Sequence, residues 1–300
     1  MTALIRSILR RYFRSKLCLL FLAMSLAAGV ISGKFCYQQI QKEFYFNAEV
    51  FTYAFAAVLF LICAGIVMII GSAFSDGVIR LQCIHGNAKD KIALAHLLGA
   101  LIWSAVCGIL LLSAFCFFSR DWLTKYLTGK MMQLIPPLLM MFPVWGITIA
   151  AITLAVRNRA FSAILGIAAL LGLLIWGMNT EFALDEPKYR EDYVSNRVYN
   201  DDGTHTIETK TKLVPNEWYI PKPERDYKEF CYLLDPLTPI PEEGWYLANV
   251  RDNFIGADQF NKEMQSFHRA RRKFLPLFQT VTILILSAVS TAVFKRRNLK

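Results

Sequence analysis

Residues 51–71 read FTYAFAAVLFLICAGIVMIIG, an apolar run that contains no charged side chain. At about 1.5 Å per helical residue, a run of this length crosses the roughly 30 Å hydrocarbon core of a bilayer. Within that core the backbone must satisfy its own hydrogen bonds, and a single continuous run does so as an α-helix. The segment therefore predicts a membrane span.

Five further apolar blocks of comparable length accompany this one. They are Leu17–Gly33, Ile92–Phe118, Met131–Val156, Ala160–Met178 and Phe274–Phe294. The predicted fold class is an all-α polytopic membrane protein with six transmembrane helices. The first block is short and follows a basic segment, so a signal-peptide core is its alternative interpretation.

Charge is unevenly distributed along the chain. The whole protein carries 33 Lys and Arg against 23 Asp and Glu, a net charge of +10. The long polar stretch 179–273 is nevertheless acidic, and the excess of basic residues lies in the short segments between blocks. This pattern is typical of loops beside an anionic membrane face and gives no indication of nucleic-acid binding.

The positive-inside rule predicts the topology. The N-terminus, the 72–91 loop, the turn at 157–159 and the C-terminus hold most of the basic residues of the short segments, so both termini are predicted to be cytoplasmic. Residues 179–273 are then extracellular, and 274–300 form the last helix and a basic tail. The run HRARRK at 268–273 opposes this orientation, although long loops cross membranes largely regardless of charge.

Residues 1–16 predict an interfacial amphipathic helix before the first span. Arg6, Arg10 and Arg14 lie elsewhere on the helical wheel than the apolar residues, which recur at helical spacing. These apolar residues are Leu4, Ile5, Ile8, Leu9, Tyr12 and Phe13. A plain basic flank that orients the first span is the compatible alternative.

The polar stretch between the fifth and sixth helices predicts a small α+β extracellular domain. Residues 193–213 alternate like a β-hairpin around the Asp202-Gly203 turn, and 226–234 predict a short helix. The sequence allows two states of Cys36 and Cys231, which either form a disulfide or remain free thiols.

No catalytic pattern is found in the sequence. There is no GxxxxGK[ST] phosphate loop, no nucleophile–histidine constellation and no Cys/His spacing for a metal. We therefore predict neither an enzyme nor a metal site. The spans also hold almost no ionisable groups that could relay protons, so any transport would need an outside energy source.

The loop at 72–91, SAFSDGVIRLQCIHGNAKDK, carries the most specific signal. It resembles the type-2 permease family of ATP-binding cassette (ABC) exporters, in which an acidic–Gly–Thr–Arg pattern and a short helix follow the second span. Asp76, Gly77 and Arg80 match this pattern, with Val78 where Thr is common, while 86–89 depart from the family's Pro-x-Ser-Arg. The basic amphipathic N-terminus and the ending FKRRNLK at 294–300 fit the same family.

The resemblance implies a permease subunit in the bacterial plasma membrane, powered by a separate ATPase subunit that binds ATP and Mg. The residues implied to contact that subunit are Phe74, Asp76, Gly77, Arg80, Lys89 and Lys91, with Arg10, Arg11 and Arg14 beside them. It also implies a second permease copy, identical or homologous, as a partner, together with membrane lipids.

Small and kinking residues suggest where helices pack or a cargo passes. Gly29 and Gly33 allow close helix approach, either within the chain or at a dimer seam. Pro136, Pro137 and Pro143 suggest an irregular fourth span. An uncharged wall suits an amphipathic or hydrophobic cargo, such as a peptide, an antimicrobial or a lipid-like compound. The alternative function is a membrane-anchored ligand sensor that uses 179–273.

Overall fold

A computed structural model describes residues 1–41, 49–120, 135–186, 188–199, 205–240 and 260–296. This part of the chain is mostly helical, with a single two-stranded sheet among the described residues. The elements in chain order are α1 Thr2–Arg14, α2 Lys16–Gln41, α3 Glu49–Ser75, α4 Val78–Ile84, α5 Lys89–Phe118, α6 Ile135–Val156, α7 Arg159–Asp185, β1 Tyr189–Tyr199, β2 His205–Pro215, α8 Glu224–Leu234 and α9 Phe260–Arg296.

Six of the described helices are long and apolar enough to cross a membrane. The spans are Lys16–Phe35, Tyr53–Ser75, Lys89–Phe118, Ile135–Val156, Arg159–Leu184 and Lys273–Arg296. Five of them agree with a predicted block to within four residues at either end, and the fifth span extends six residues past Met178. The prediction of six helices with the length and composition of membrane spans is confirmed. The chain is thus described as a multi-pass membrane protein.

The bundle is built around α3, α5 and α6, whose contacts are close because glycines face aromatic rings. Trp103 of α5 lies against Gly65 of α3, where an added Cβ would come within 2.3 Å of the ring. Phe142 of α6 lies in the same way on Gly108. Trp145 also donates its indole N–H to the carbonyl of Leu59 over 2.9 Å. These three helices form the core, and α2, α7 and α9 pack around them with exposed apolar faces.

The glycine pair of the first span packs within the chain. A Cβ on Gly29 would lie 2.3 Å from the carbonyl oxygen of Leu111, and one on Gly33 would lie 2.9 Å from that of Phe115. Both partners belong to α5. Of the two packing partners that the sequence left open for this pair, α5 of the same chain is the one in contact.

Two prolines lie at the start of α6, where a helix tolerates them, and two others lie inside helices. Pro136 and Pro137 occupy the first turn of α6, where a missing N–H costs nothing. Pro143 lies inside α6 and Pro276 inside α9. Pro143 is buried in the core, and the helix continues through it.

The segment after the fifth span begins later than predicted. Helix α7 continues past Met178 to Asp185, because the polar run Asn179-Thr180-Glu181 is followed by more apolar residues. Thr180 and Glu181 are buried, which explains why this polar run does not end the helix.

The predicted hairpin and short helix are both present among the described residues. Strands β1 and β2 pair antiparallel, with Tyr193 opposite Thr211 and Tyr199 opposite His205. The Asp202-Gly203 turn and the Cys36 side chain lie outside what the structure describes, and Cys231 is a free thiol. Helix α8 begins two residues earlier than predicted, at Glu224.

Candidate functional site

Several connections converge at one end of the bundle, which we call the α4 end. Phe74 at the end of α3 lies 6.2 Å from Phe294 near the end of α9, measured between ring centroids. The guanidinium of Arg157, in the α6–α7 turn, lies 5.8 Å from the Phe294 ring. The 72–91 loop, the α6–α7 turn and the end of the last span therefore share one end, and the opposite end, which holds α8, is called the α8 end.

Helix α4 is a short element set off by two glycines. Gly77 and Gly86 have φ of +69° and +81°, a left-handed conformation that most other residues adopt at a cost. These turns separate α4 from the end of α3 and from the start of α5. Ile79 is its one buried residue, so α4 is held to the bundle through a small contact.

The outward face of α4 is apolar. Leu81 and Ile84, three residues apart, are 53% and 71% exposed. Both lie between two spans and outside either of them. Exposed apolar side chains on a helix outside the spans are typical of a surface that contacts either a protein partner or a membrane. The predicted contact residues of this loop were mostly charged, so the apolar positions of VIRLQCI were not among them.

The predicted contact residues of the loop occupy different environments. Asp76, Arg80 and Lys91 are exposed, whereas Lys89 and Gly77 are partly buried. Phe74 is partly buried against Phe294 rather than presented outward. The structure brings all six together around α4, with Phe74 on the bundle side.

Helix α1 forms as predicted but turns part of its apolar face into the protein. Ile8 and Tyr12 are fully buried, and a Cβ on Gly99 of α5 would lie 2.8 Å from the Ile8 side chain. The Tyr12 ring stacks on Trp103 with centroids 5.5 Å apart. Burial raises the pKa of the Tyr12 hydroxyl above its ordinary value. Only the remaining apolar residues are available to a membrane surface.

The basic residues of α1 are divided in the same way. Arg10 and Arg14 are exposed, while Arg11 is partly buried. The exposed side of the helix carries a shallow groove lined by Thr2, Ile5, Arg6, Leu9, Arg10 and Phe13. This mixture of basic and apolar groups is suited to a membrane interface.

A set of buried polar atoms lies between α1 and α5. Among the described residues, the Tyr12 hydroxyl, both ring nitrogens of His96, the Trp103 indole nitrogen and one Arg11 nitrogen have no hydrogen-bond partner. The His96 side chain is fully buried. Within the described ranges no three His, Cys, Asp or Glu side chains are placed to hold a metal ion.

At the α8 end, six consecutive residues with the sequence Asp235-Pro-Leu-Thr-Pro-Ile240 are all buried. Leu237 and Ile240 belong to the same apolar core as the spanning helices. One oxygen of Asp235 accepts from the Leu237 N–H over 2.8 Å, and the other is buried without a partner among the described residues. Burial raises the pKa of Asp235 to about 7, against a smaller opposing effect of the Leu237 N–H.

The prolines at the start of the fourth span also lie at the α8 end. The carbonyl of Pro137 accepts a hydrogen bond from the side-chain amide of Gln279 in α9 over 3.0 Å. The amide of Gln279 is buried, so this bond joins α6 to α9 inside the bundle. Pro136 is exposed at the start of α6.

No protein-family model, curated protein or solved structure matches this chain. The likeness to type-2 permeases accordingly depends on the loop residues, the order of the spans and the terminal segments alone.

Proposed function

We propose that this chain is the membrane subunit of an ABC exporter and that α4 is its contact with a separate ATPase subunit. The observation that carries the proposal is the exposed apolar pair Leu81 and Ile84 on a short helix outside the spans. Exposed Asp76, Arg80 and Lys91 surround this pair and would give the contact charge specificity.

The surroundings of α4 support a mechanical role. Phe74 packs on Phe294 and Arg157 lies over the same ring, so three connections at the α4 end are joined through one side chain. A rigid shift of α4 would therefore reach α9 as well as α3. Because the sequence has no phosphate loop, ATP and Mg would be bound and hydrolysed by the partner subunit.

The remaining parts of the proposal follow from this role. The α4 end faces the cytoplasm of a bacterial cell, both termini lie there, and the α8 end faces outward. Two permease copies form the pathway, and the cargo is amphipathic or hydrophobic because the spans carry few ionisable groups.

Co-expression and co-purification with an ABC ATPase subunit test the contact. The double variant Leu81→Ser/Ile84→Ser is expected to lose the ATPase subunit while the permease still inserts and folds. Leu171→Ser/Ile175→Ser is the matched control, since these residues of α7 have the same identities and are 55% and 61% exposed, but lie within a span.

Retention of the ATPase subunit by the α4 variant would contradict the contact. Loss of the ATPase from both variants would indicate damage to the bundle instead. ATP-dependent release of a hydrophobic dye from vesicles that contain both subunits tests transport. Dye release at the same rate without the ATPase would overturn the proposal as a whole.

A further inference from the structure

Helix α8 begins at the level where a span ends. The Arg225 side chain donates a hydrogen bond to the carbonyl of Leu184, the last residue of the span Arg159–Leu184. A helix C-terminus leaves its last carbonyls without partners, and Arg225 satisfies one of them. The N-terminal turn of α8 is thereby fixed at the boundary of the fifth span.

The next turns of α8 lie deeper. The rings of Phe230 and Phe278 meet edge to face with centroids 6.1 Å apart. Phe278 is five residues inside the span Lys273–Arg296, which is about 7.5 Å along the axis of α9 at 1.5 Å per residue. The Phe230 ring therefore contacts α9 between one and two turns inside the span, although α8 itself is too short to cross a membrane.

The backbone N–H groups of the residues that follow α8 are hydrogen-bonded, as the interior of a membrane requires. The N–H groups of Asp235, Thr238 and Ile240 donate to carbonyls of Tyr232, Asp235 and Leu237, and the N–H of Leu237 donates to the Asp235 carboxyl. Residues 236 and 239 are prolines, which have no N–H. Every N–H of residues 235–240 is thus paired, as required where water is absent.

The outward edge of α8 is apolar at the same level. Phe230 is 52% exposed, and Tyr227 one turn earlier is also exposed. The neighbouring ends of α7 and α9 expose Phe182, Phe274 and Leu277. Together these exposed side chains give the α8 end an apolar surface of the kind that lipid covers.

We propose that residues 224–240 form a re-entrant element that descends from the α8 end into the membrane-level part of the bundle. Its exposed edge, Tyr227 and Phe230, contacts lipid acyl chains of that leaflet, and its buried turn, 235–240, lies among the spans. The proposal depends on the six spans and is independent of any ATPase partner.

Depth-dependent fluorescence quenching tests this placement. The variant Phe230→Trp adds an indole at the proposed lipid contact. The fluorescence of this added indole is obtained by subtracting the emission of the parent protein in the same vesicles from that of the variant. In phosphatidylcholine vesicles with brominated acyl chains, the added emission is expected to lose most of its intensity, while the aqueous quencher acrylamide has little effect.

Glu224→Trp is the matched control on the same helix. Glu224 is exposed and its ion pair with Lys228 is a surface one, so the substitution is mild. Its added indole is expected to respond to acrylamide and to resist the brominated lipid. Equal acrylamide quenching at positions 224 and 230 would place α8 in water and overturn the proposal.

A second probe keeps the test valid if Phe230→Trp does not fold. Tyr227→Trp replaces an exposed aromatic residue by another, and it is expected to show lipid quenching between those of the two other positions. Lipid quenching at position 227 no greater than at 224 would also contradict the descent of α8.

Discussion

Helices α4 and α8 are both short, both flank long membrane spans, and both expose large apolar side chains. They differ in what lies at their level. Leu81 and Ile84 of α4 lie outside the spans, whereas Phe230 of α8 is level with Phe278 inside one. Exposed apolar side chains therefore support two different proposals, a protein partner for α4 and lipid for α8.

The two helices also differ in how firmly they are held. Only Ile79 of α4 is buried, and two glycines with positive φ separate the helix from its neighbours. Helix α8 is anchored by buried Tyr232 and by the six buried residues that follow. Weak attachment suits an element that must move with a partner, and firm attachment suits one that closes the end of a bundle.

The anchoring of α8 can be broken at Tyr232. We expect Tyr232→Ala to lower the free energy of unfolding by about 3–5 kcal/mol, because a fully buried aromatic ring is removed. Thermal unfolding of the detergent-solubilised protein measures the loss. Tyr227→Ala, which truncates an exposed ring of the same helix, should leave the midpoint nearly unchanged, and equal losses would contradict the comparison.

The buried turn after α8 should make stability depend on pH. The pKa of Asp235 is raised from 3.8 to about 7 in the folded protein, so folding favours the protonated carboxyl. The stabilisation is complete below the ordinary pKa and is lost as the pH rises toward the folded value. We expect a decline of about 1.4 kcal/mol per pH unit between these limits.

Comparison with Asp235→Asn isolates this contribution from other titrating groups. The amide cannot ionise, so the difference in unfolding midpoint between the two proteins should grow from pH 5 to pH 7 in favour of the variant. A difference that does not change with pH would show that the Asp235 carboxyl is hydrated in the folded state.

The weaker attachment of α4 is tested at Ile79. Ile79→Ala should lower the stability of this contact by about 2 kcal/mol, the low end for a buried isoleucine, because only one side of α4 is packed. Faster hydrogen exchange confined to residues 78–84 is the expected signature. Exchange that rises throughout α3 and α5 would mean that α4 is part of the core.

The smallest effect is expected at the outward face of α4. Leu81→Ala in the isolated chain should change the free energy of unfolding by less than about 0.5 kcal/mol, since Leu81 is exposed. Thermal unfolding without any ATPase subunit checks this. A larger loss would show that Leu81 packs within the chain and is not reserved for a partner.

The sequence predicted the spans and the short helices well, because length and apolar periodicity are local properties. It did not predict which apolar residues face inward. Tyr12 and Ile8 were expected at the membrane interface, but they pack on Trp103 and Gly99, a choice that depends on where α5 lies in space. The partner of Gly29 was left open for the same reason.

The α8 end was the least predictable region. A run such as Asp235–Ile240, with two prolines and an acidic residue, is typical of a surface loop. Its burial depends on paired N–H groups and on Leu237 and Ile240 reaching the core of the spans, neither of which can be seen in a window of sequence.

The length of α9 has a consequence for how the two ends communicate. Its 37 residues extend over about 55 Å, nearly twice the thickness of the hydrocarbon core. Pro276 divides this rod into a long arm in the membrane and a shorter arm of 16 residues, back to Phe260, beyond it. A change of about 20° at the proline, the scale of an ordinary kink, would swing the tip of the short arm through about 8 Å. A small bend at Pro276 would thus displace the Phe260 end of α9 far more than the residues beside the proline.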